Sequence, residues 1–538
     1  MKKVLSAILA GTLAMSLLVG CGGGSNSGDS GNAGSSGSAG GSNTTTTAAA
    51  GGGESSSGNT GGQVINIGIG SDLTSLDPHN HNDTVSAYAT RHIYNNLVRM
   101  TEDNEFVGDL AESWEYKDDV TVEFTLKEGV KFHDGSVLTA EDVKFSLESQ
   151  KESAKVGHLV SMVESVEVVD DTHFIIHLNT PSNALVSSLN HSGCAIYSKA
   201  HVEKLLAEGK KIEDEPMGTG PYKFENWTPG ASFSLVKNPD YFDPERAAQN
   251  DRLVFKVIPE NSARTIALEN GEIDLLVNVP STDAQKIRDN DKLALDEYVS
   301  THVEYFTVNH TKAPFDDVRV RQALSYAINK DDIVIASMNG EASTFDNYIG
   351  AAAIGYYDVV TKYEYNPEKA KELLAEAGVA DGLTFNCYVA GATRATSATV
   401  IQANLAELGI TMNIEQMEAS TFYEKTGNGE HDSCLAGWVA NAEPDNTYRP
   451  LFVSADTGAG GNRSYYKNPE VDKLVDDASV NLDKAAVQKD YETILKTLSD
   501  DAVWVPLYSP TGMLARQAGL QGVTPSPIGM HDFYSVHY

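Results

Sequence analysis

Two pairs in this chain, His133-Asp134 and His431-Asp432, have the residue types for acid–base or metal chemistry. An imidazole beside a carboxylate can move a proton or hold a cation. Each pair also has a plainer reading. Asp134-Gly135 is turn chemistry with His133 closing a strand, and the spacing around His431 and Asp432 marks no site. Arg394, in the loop Gly391-Ala392-Thr393-Arg394 ahead of a helix, could clamp a carboxylate with two parallel hydrogen bonds; a solvated surface arginine is the plainer alternative. Trp438 could wall a pocket or fill a core. Leu76 and Asp77 lie in the loop Ser71 to Pro78 after the first strand, where open α/β sheets place their ligands; capping a turn is the other reading there. No HExxH or GxxxxGK[ST] occurs, and GxSxG is absent from the part expected to fold. Nothing pairs a nucleophile with its base or assembles a metal set. The chain therefore reads as no enzyme, with no catalytic residue, no metal site and no cofactor.

A chain of 538 residues exceeds what one core can hold, so two or more domains are expected. Its formal charge is −35. Such a surface repels phosphate backbones and anionic headgroups, which disfavours a nucleic-acid partner. Solubility is the plain meaning of that charge.

The N-terminus carries the pattern of export. Lys2 and Lys3 precede an apolar run, Val4 to Val19, too short for a comfortable span and placed as a secretory core. It ends in Leu18-Val19-Gly20-Cys21, which resembles a bacterial lipobox, so residues 1–20 read as a signal peptide and Cys21 as the lipidated residue. Acyl chains on Cys21 would hold the protein to a membrane surface. The segment 21–62 is almost wholly Gly, Ser, Asn, Thr and Ala and cannot bury a core, so it is expected to be a disordered tether. A coil of that length spans roughly 35 Å root-mean-square. Cys194, Cys387 and Cys434 are odd in number and lack CxxC spacing, so at least one free thiol is expected and a disulfide is not required.

These residues need elements to position them, and the elements change character along the chain. From Val64 to Val308 strands dominate. Val64 to Ile69, Thr121 to Leu126, Val163 to Val169, His173 to Leu178 and Ser232 to Lys237 all alternate. A helix is expected over Tyr88 to Leu97. Thr139 with Asp142 makes a capping-box start for another. Tyr305 to Val308 is a strand, followed by a helix capped by Asp316 or Asp317. Val320, Ala323, Leu324, Ala327 and Ile328 form its apolar stripe, with Arg319, Arg321 and Gln322 off it. After that, helix and strand alternate. Asn366-Pro367 opens a helix that stops at Gly378. Strand Thr384 to Val389, a helix through Leu408 to Gly409, and strand Ile410 to Glu415 follow. A last helix carries Tyr491, Ile494 and Leu498 into Val503 to Tyr508. This grammar is that of an α/β protein.

Four stretches in order give this chain a family likeness. They are Leu110-Ala111-Glu112-Ser113-Trp114 running on through Phe124 to Gly135 and Leu138 to Val143, then Gly218-Thr219-Gly220-Pro221-Tyr222, then Gly271-Glu272-Ile273-Asp274, then Pro314 to Leu324. From about Val64 to near its end the chain resembles the bacterial extracellular solute-binding family 5, the oligopeptide-, dipeptide- and nickel-binding lipoproteins of ABC importers. The resemblance implies a two-lobed periplasmic-binding-protein-like fold of type II, in the large cluster C form, with an extra strand-rich subdomain in lobe 1. Lobe 1 would span 63–308, with the insertion at about 96–214. Lobe 2 would span 309–500, and 501–538 would return to lobe 1. It also implies capture of short peptides or a related small solute in a closing cleft, delivery to ABC permease and ATPase subunits, a monomer, and a lipid-anchored place on the outer face of the cell membrane. A nickel or metal-chelate ligand, another non-peptide solute, or a surface-anchored hydrolase are the alternatives.

Peptide-binding members of that family carry Gly-Trp-x-x-Asp, whose Asp meets the peptide ammonium. Here the run is Gly437-Trp438-Val439-Ala440-Asn441, then Ala442-Glu443. Asn441 stands where the Asp is expected, and losing a charge-assisted bond there would weaken ammonium binding by about 1.5–3 kcal/mol. Either Glu443 takes over, or the ligand has no free amine. Trp438, Asn441, Glu443, Arg394, Leu76 and Asp77 are thus the candidate ligand-binding residues.

Overall fold

The computed structural model describes residues 62–379 and 382–538. The expected signal peptide, Cys21 and all of the tether but Gly62 lie outside those residues. Among the described residues no helix is long and apolar enough to cross a membrane.

Caps and alternation fix the elements. Val64–Ile69 forms a strand whose Ile65, Ile67 and Ile69 are fully buried. The first helix spans Thr84–Ile93 rather than Tyr88 to Leu97. Asp83 starts it earlier by accepting the Ser86 N–H at 2.9 Å. It ends where Tyr94 turns extended, and Leu97 belongs to the next core. The Thr139–Asp142 capping box opens helix Ala140–Lys151. Asp317, not Asp316, caps helix Val318–Ala327 through the Arg319 N–H at 2.8 Å. Arg321 lies off the apolar stripe, yet it is buried. Its guanidinium donates to the carbonyls of Phe315, Asp316 and Asp501 at 2.9, 3.2 and 2.9 Å. The helix expected to reach Leu408 spans Ala392–Ala406, and the strand after it is Thr411–Met417.

Ten strands follow one hydrogen-bonded path. Its order is Thr411–Met417, Thr384–Ala390, Ser433–Val439, His302–Val308, Val505–Gln517, Leu275–Val277, Val64–Ile69, Arg252–Val257, Ser232–Lys237 and Tyr222–Thr228. Parallel pairs flank Thr384–Ala390 and Val64–Ile69, and the remaining pairs are antiparallel. The centre of the path is the long strand Val505–Gln517. Its first residues pair with Glu304 to Phe306. Its last residues pair with Leu275 to Val277 and with Leu293–Val299. The strands Leu293–Val299 and His302–Val308 thus share one partner and are joined through Ser300-Thr301.

The cores divide along the same line. On one side, Ile67, Tyr88, Phe233, Phe255 and Leu275 pack with Leu514, Phe533 and Val536 from the C-terminal segment. On the other, Phe306, Val320, Leu324, Ile401 and Leu435 form one cluster. Tyr305, Tyr348, Tyr448, Tyr491 and Trp504 form a second, with Tyr305 and Trp504 stacked at 3.6 Å. A separate four-stranded antiparallel sheet, ordered Ala111–Asp118, Thr121–Leu126, His173–Leu178 and Val163–Val168, covers its own core from Leu97 to Ile196. Cys194, Cys387 and Cys434 are buried free thiols in these cores.

The turn Gly218 to Tyr222 joins that sheet's region to the long path. His133 donates its N–H to Gly218 O at 2.9 Å and its Nε2–H to Gly220 O at 3.1 Å. The Gly218 N–H in turn reaches Nδ1 at 3.4 Å. Burial lowers the His133 pKa to about 4, keeping the ring neutral for this arrangement. A Cβ on Gly220 would lie 2.4 Å from His92 O. Gly220→Ala is therefore expected to lower the unfolding free energy by about 1–3 kcal/mol, read as an earlier urea midpoint.

Candidate functional site

A narrow pocket with a cavity volume of about 30 Å³ lies between segments far apart in sequence. One wall is the turn around the short helix Ala184–Leu189, contributing Ser187, Ser188, Asn190, His191 and Ser192, with Leu159 and Arg91 beside it. The facing wall is the loop after strand Ser433–Val439, contributing Asn441, Ala442 and Glu443, with Asn446 from helix Asp445–Phe452. Ile528 and Met530 complete it.

The loop is held from beneath. Thr301, buried at the junction of the two central strands, donates its hydroxyl to Ala440 O at 2.8 Å and accepts the Ala440 N–H on its own carbonyl at 3.3 Å. Asn441 then folds its amide oxygen back onto the Glu443 N–H at 2.9 Å. Glu443 Oε1 accepts the Asp445 N–H at 3.1 Å. Its Oε2 is hydrogen-bonded to the Ser187 hydroxyl across the pocket. Next to this contact, Asn183 caps the end of helix Pro469–Val480. Its N–H reaches Ser479 O at 3.1 Å and its amide reaches Ala478 O at 2.5 Å.

The electrostatics of the pocket are uneven. Glu443 is 6% exposed, and burial pushes its carboxyl up to about 7. The neighbouring Asp445 carboxylate adds to that rise, while the Ser187 and Asp445 N–H bonds oppose it. His191 is pushed down to about 4, mainly by burial. Arg91 lies 3.5 Å from Asp532 and reaches the pocket with a partly exposed side chain.

Of the six sequence candidates, Asn441 and Glu443 line this pocket. Trp438 sits two strand positions before the loop, half-buried, its indole N–H 3.3 Å from the Thr447 hydroxyl. Arg394 lies elsewhere and clamps a carboxylate of the chain itself, Glu304, at 2.8 and 2.7 Å. His302 approaches the same group at 3.0 Å. A Cβ on Gly437 would lie 2.4 Å from Glu304 Oε1, so that glycine makes room for the ion pair. Leu76 is buried in a core. Asp77 caps the turn Pro78–Asn80, accepting from the His79 N–H at 3.0 Å and from the Tyr197 hydroxyl. Arg91, Ser187, Asn190 and His191 were not legible as site residues. Ser187 and Glu443 are 256 residues apart, and no local pattern links them. Lys312 pairs with Asp432 at 2.9 Å, a structural contact. Among the described residues no group of three or more His, Cys, Asp or Glu could hold a metal ion.

The profile of the bacterial extracellular solute-binding proteins, family 5 (Middle), matches residues 105–460. The chain is 31% identical over 479 residues to heme-binding protein A of Haemophilus influenzae, covering 83% of this chain and 87% of that protein. It is 32% identical over 481 residues to glutathione-binding protein GsiB of Pectobacterium atrosepticum, covering 87% and 92%. The solved structure of the ABC transporter-associated periplasmic binding protein DppA from Helicobacter pylori, in complex with peptide STSA, superposes with a TM-score of 0.72. It is 29% identical and covers 88% of this chain and 99% of that one.

Glu304 offers a direct check on the ion pair. Arg394 and His302 draw its pKa down to about 2 despite burial. Its stabilising contribution should be full above about pH 4.5 and lost as the pH falls toward about 2. Arg394→Met leaves that carboxylate only its His302 contact and should cost about 3–5 kcal/mol near neutrality. Urea unfolding of both proteins across that acid range should show the gap closing as Glu304 takes up a proton.

Proposed function

This chain belongs to the bacterial extracellular solute-binding proteins of family 5, and from that premise we propose that it captures short peptides, or closely related small solutes, in the pocket between Ser187–Ser192 and Asn441–Asn446. It is a binding protein of the kind that serves ABC importers, not an enzyme. Glutathione and the peptide STSA, in the names of two of its relatives, support a peptide-like cargo.

The observation that carries the reading is the buried acid at the pocket wall. Among the described residues Glu443 forms no ion pair, and it faces a space where serine and asparagine side chains stand beside apolar Leu159, Ile528 and Met530, with Arg91 on the far wall. Hydroxyls and amides suit the backbone of a peptide, and an acid without a cation suits its ammonium. Glu443 thus does for this chain what the missing Asp at position 441 would do. Lobe 1 (63–308, with 501–538) and lobe 2 (309–500) close on the solute through Ser300-Thr301 and the long strand. Ser187–Glu443 and Asn183–Ala478 are contacts of the closed form. Cys21 carries lipid, and the segment 21–62 tethers the folded body at the outer face of the membrane, beside the permease and ATPase it supplies.

Two measurements test this. In a thermal-shift screen of di- to hexapeptides, N-acetylated counterparts and hemin, free-amine peptides should stabilise the protein. Glu443→Gln should weaken their binding by about 1.5–3 kcal/mol and abolish the preference for a free amine. A shift with hemin alone overturns the peptide reading. For the anchor, Cys21→Ala should move the protein from the membrane fraction to the soluble exported fraction; persistence at the membrane counts against lipidation.

A further inference from the structure

Glu443 is a buried acid whose surroundings offer it no positive charge. The basic groups nearby are committed. Arg449 is held by Asp445 at 2.8 Å and Asp476 at 2.8 Å. Arg91, on the opposite wall, faces Asp532. His191 is kept neutral by burial. The remaining ionisable neighbours are Asp445 at the start of helix Asp445–Phe452 and Tyr491 from helix Lys484–Asp500. Asp445 repels a second negative charge, and Tyr491 is neutral. An ionised Glu443 here would be an uncompensated buried charge.

The hydrogen bonds agree. The Ser187 hydroxyl has one proton and two acceptors, its own helix's Ala184 O at 3.0 Å and Glu443 Oε2. A proton on Oε2, donated to Ser187 Oγ, releases the Ser187 proton for Ala184 O. Every group in the chain Glu443, Ser187, Ala184 is then satisfied.

We propose that Glu443 carries a proton in the ligand-free protein and that the cationic amine of a bound ligand displaces it, so that capturing one amine releases one proton to solvent. This rests on the pocket's reading as the ligand site. The step is an exchange: the O–H bond on Oε2 breaks, its proton leaves to water, and the carboxylate accepts N–H donors from the ligand ammonium. Ser187 then turns its own proton to whichever acceptor remains. The pocket discriminates by charge at one atom, and a neutral N-acetyl group cannot drive the exchange. With the Glu443 carboxyl pushed up to about 7, affinity for amines should fall about tenfold for each pH unit below that value, and acetylated ligands should show no such slope.

The test uses the full-length protein. Infrared difference spectra between about pH 5.5 and about pH 8.5 should show a protonated-carboxyl band that is lost on raising the pH in wild type and absent from Glu443→Gln. Calorimetry at about pH 6 in buffers of different ionisation enthalpy should give close to one proton released per bound free-amine tripeptide, using an equimolar mixture, and none for its N-acetylated counterpart. The second comparison needs no variant, so it decides the question even if Glu443→Gln does not fold. Absence of the band, or free-amine binding without proton release, overturns the proposal. Binding of neither mixture overturns the peptide reading; a titrating band would then uphold the proton on Glu443 and strike out the exchange.

Discussion

Val505–Gln517 donates and accepts backbone hydrogen bonds on both sides of the sheet path, with Glu304 to Phe306 at one end and Leu275 to Val277 at the other. Neither half of the path can complete its ladder without it, because a strand edge left unpaired exposes a row of polar backbone groups. A second central link, Ser300-Thr301, runs beside it. Two adjacent extended segments thus run along one line between the two halves of the path. Thr301 sits on that line and bonds Ala440 in both directions. Thr301 therefore ties the Asn441–Glu443 loop to this junction.

The local grammar of this fold was legible because its causes are local. A capping box at Thr139–Asp142, an Asn-Pro start at Asn366 and an alternating Val64–Ile69 each depend on residues within a few positions. Arg321 shows where that reasoning stops. Periodicity assigns a Cα to a face, but a guanidinium on a long stem can fold back and satisfy three carbonyls inside the protein. The helix start was missed for the opposite reason: Asp83 is an ordinary cap, but the residues after it are too polar to announce a stripe.

The lining of this pocket was half legible. Asn441 and Glu443 came from a motif with one residue changed, and both line the pocket. Ser187, Asn190 and His191 had no signal in the sequence, since Ser187 reaches the pocket through a contact with Glu443, 256 residues away. Arg394 carries the same lesson in reverse. A clamp for a carboxylate was readable from its type, and the carboxylate it holds is the protein's own Glu304, ninety residues away.

Glu304 and Glu443 together show what decides the behaviour of a buried acid. Both are nearly inaccessible, at 7% and 6% exposed. Burial alone would raise both. Glu304 has Arg394 and His302 and is drawn down to about 2. Glu443 has a hydroxyl, a backbone N–H and a like-charged neighbour, and stays up at about 7. The difference is the partner, not the depth. Lining a core with a carboxylate that lacks its cation is unfavourable for the ligand-free fold, and a protein gains from such a group only when something arrives to complete it. An unpaired acid in the wall of a pocket is therefore a group that a cationic ligand, as proposed, would complete.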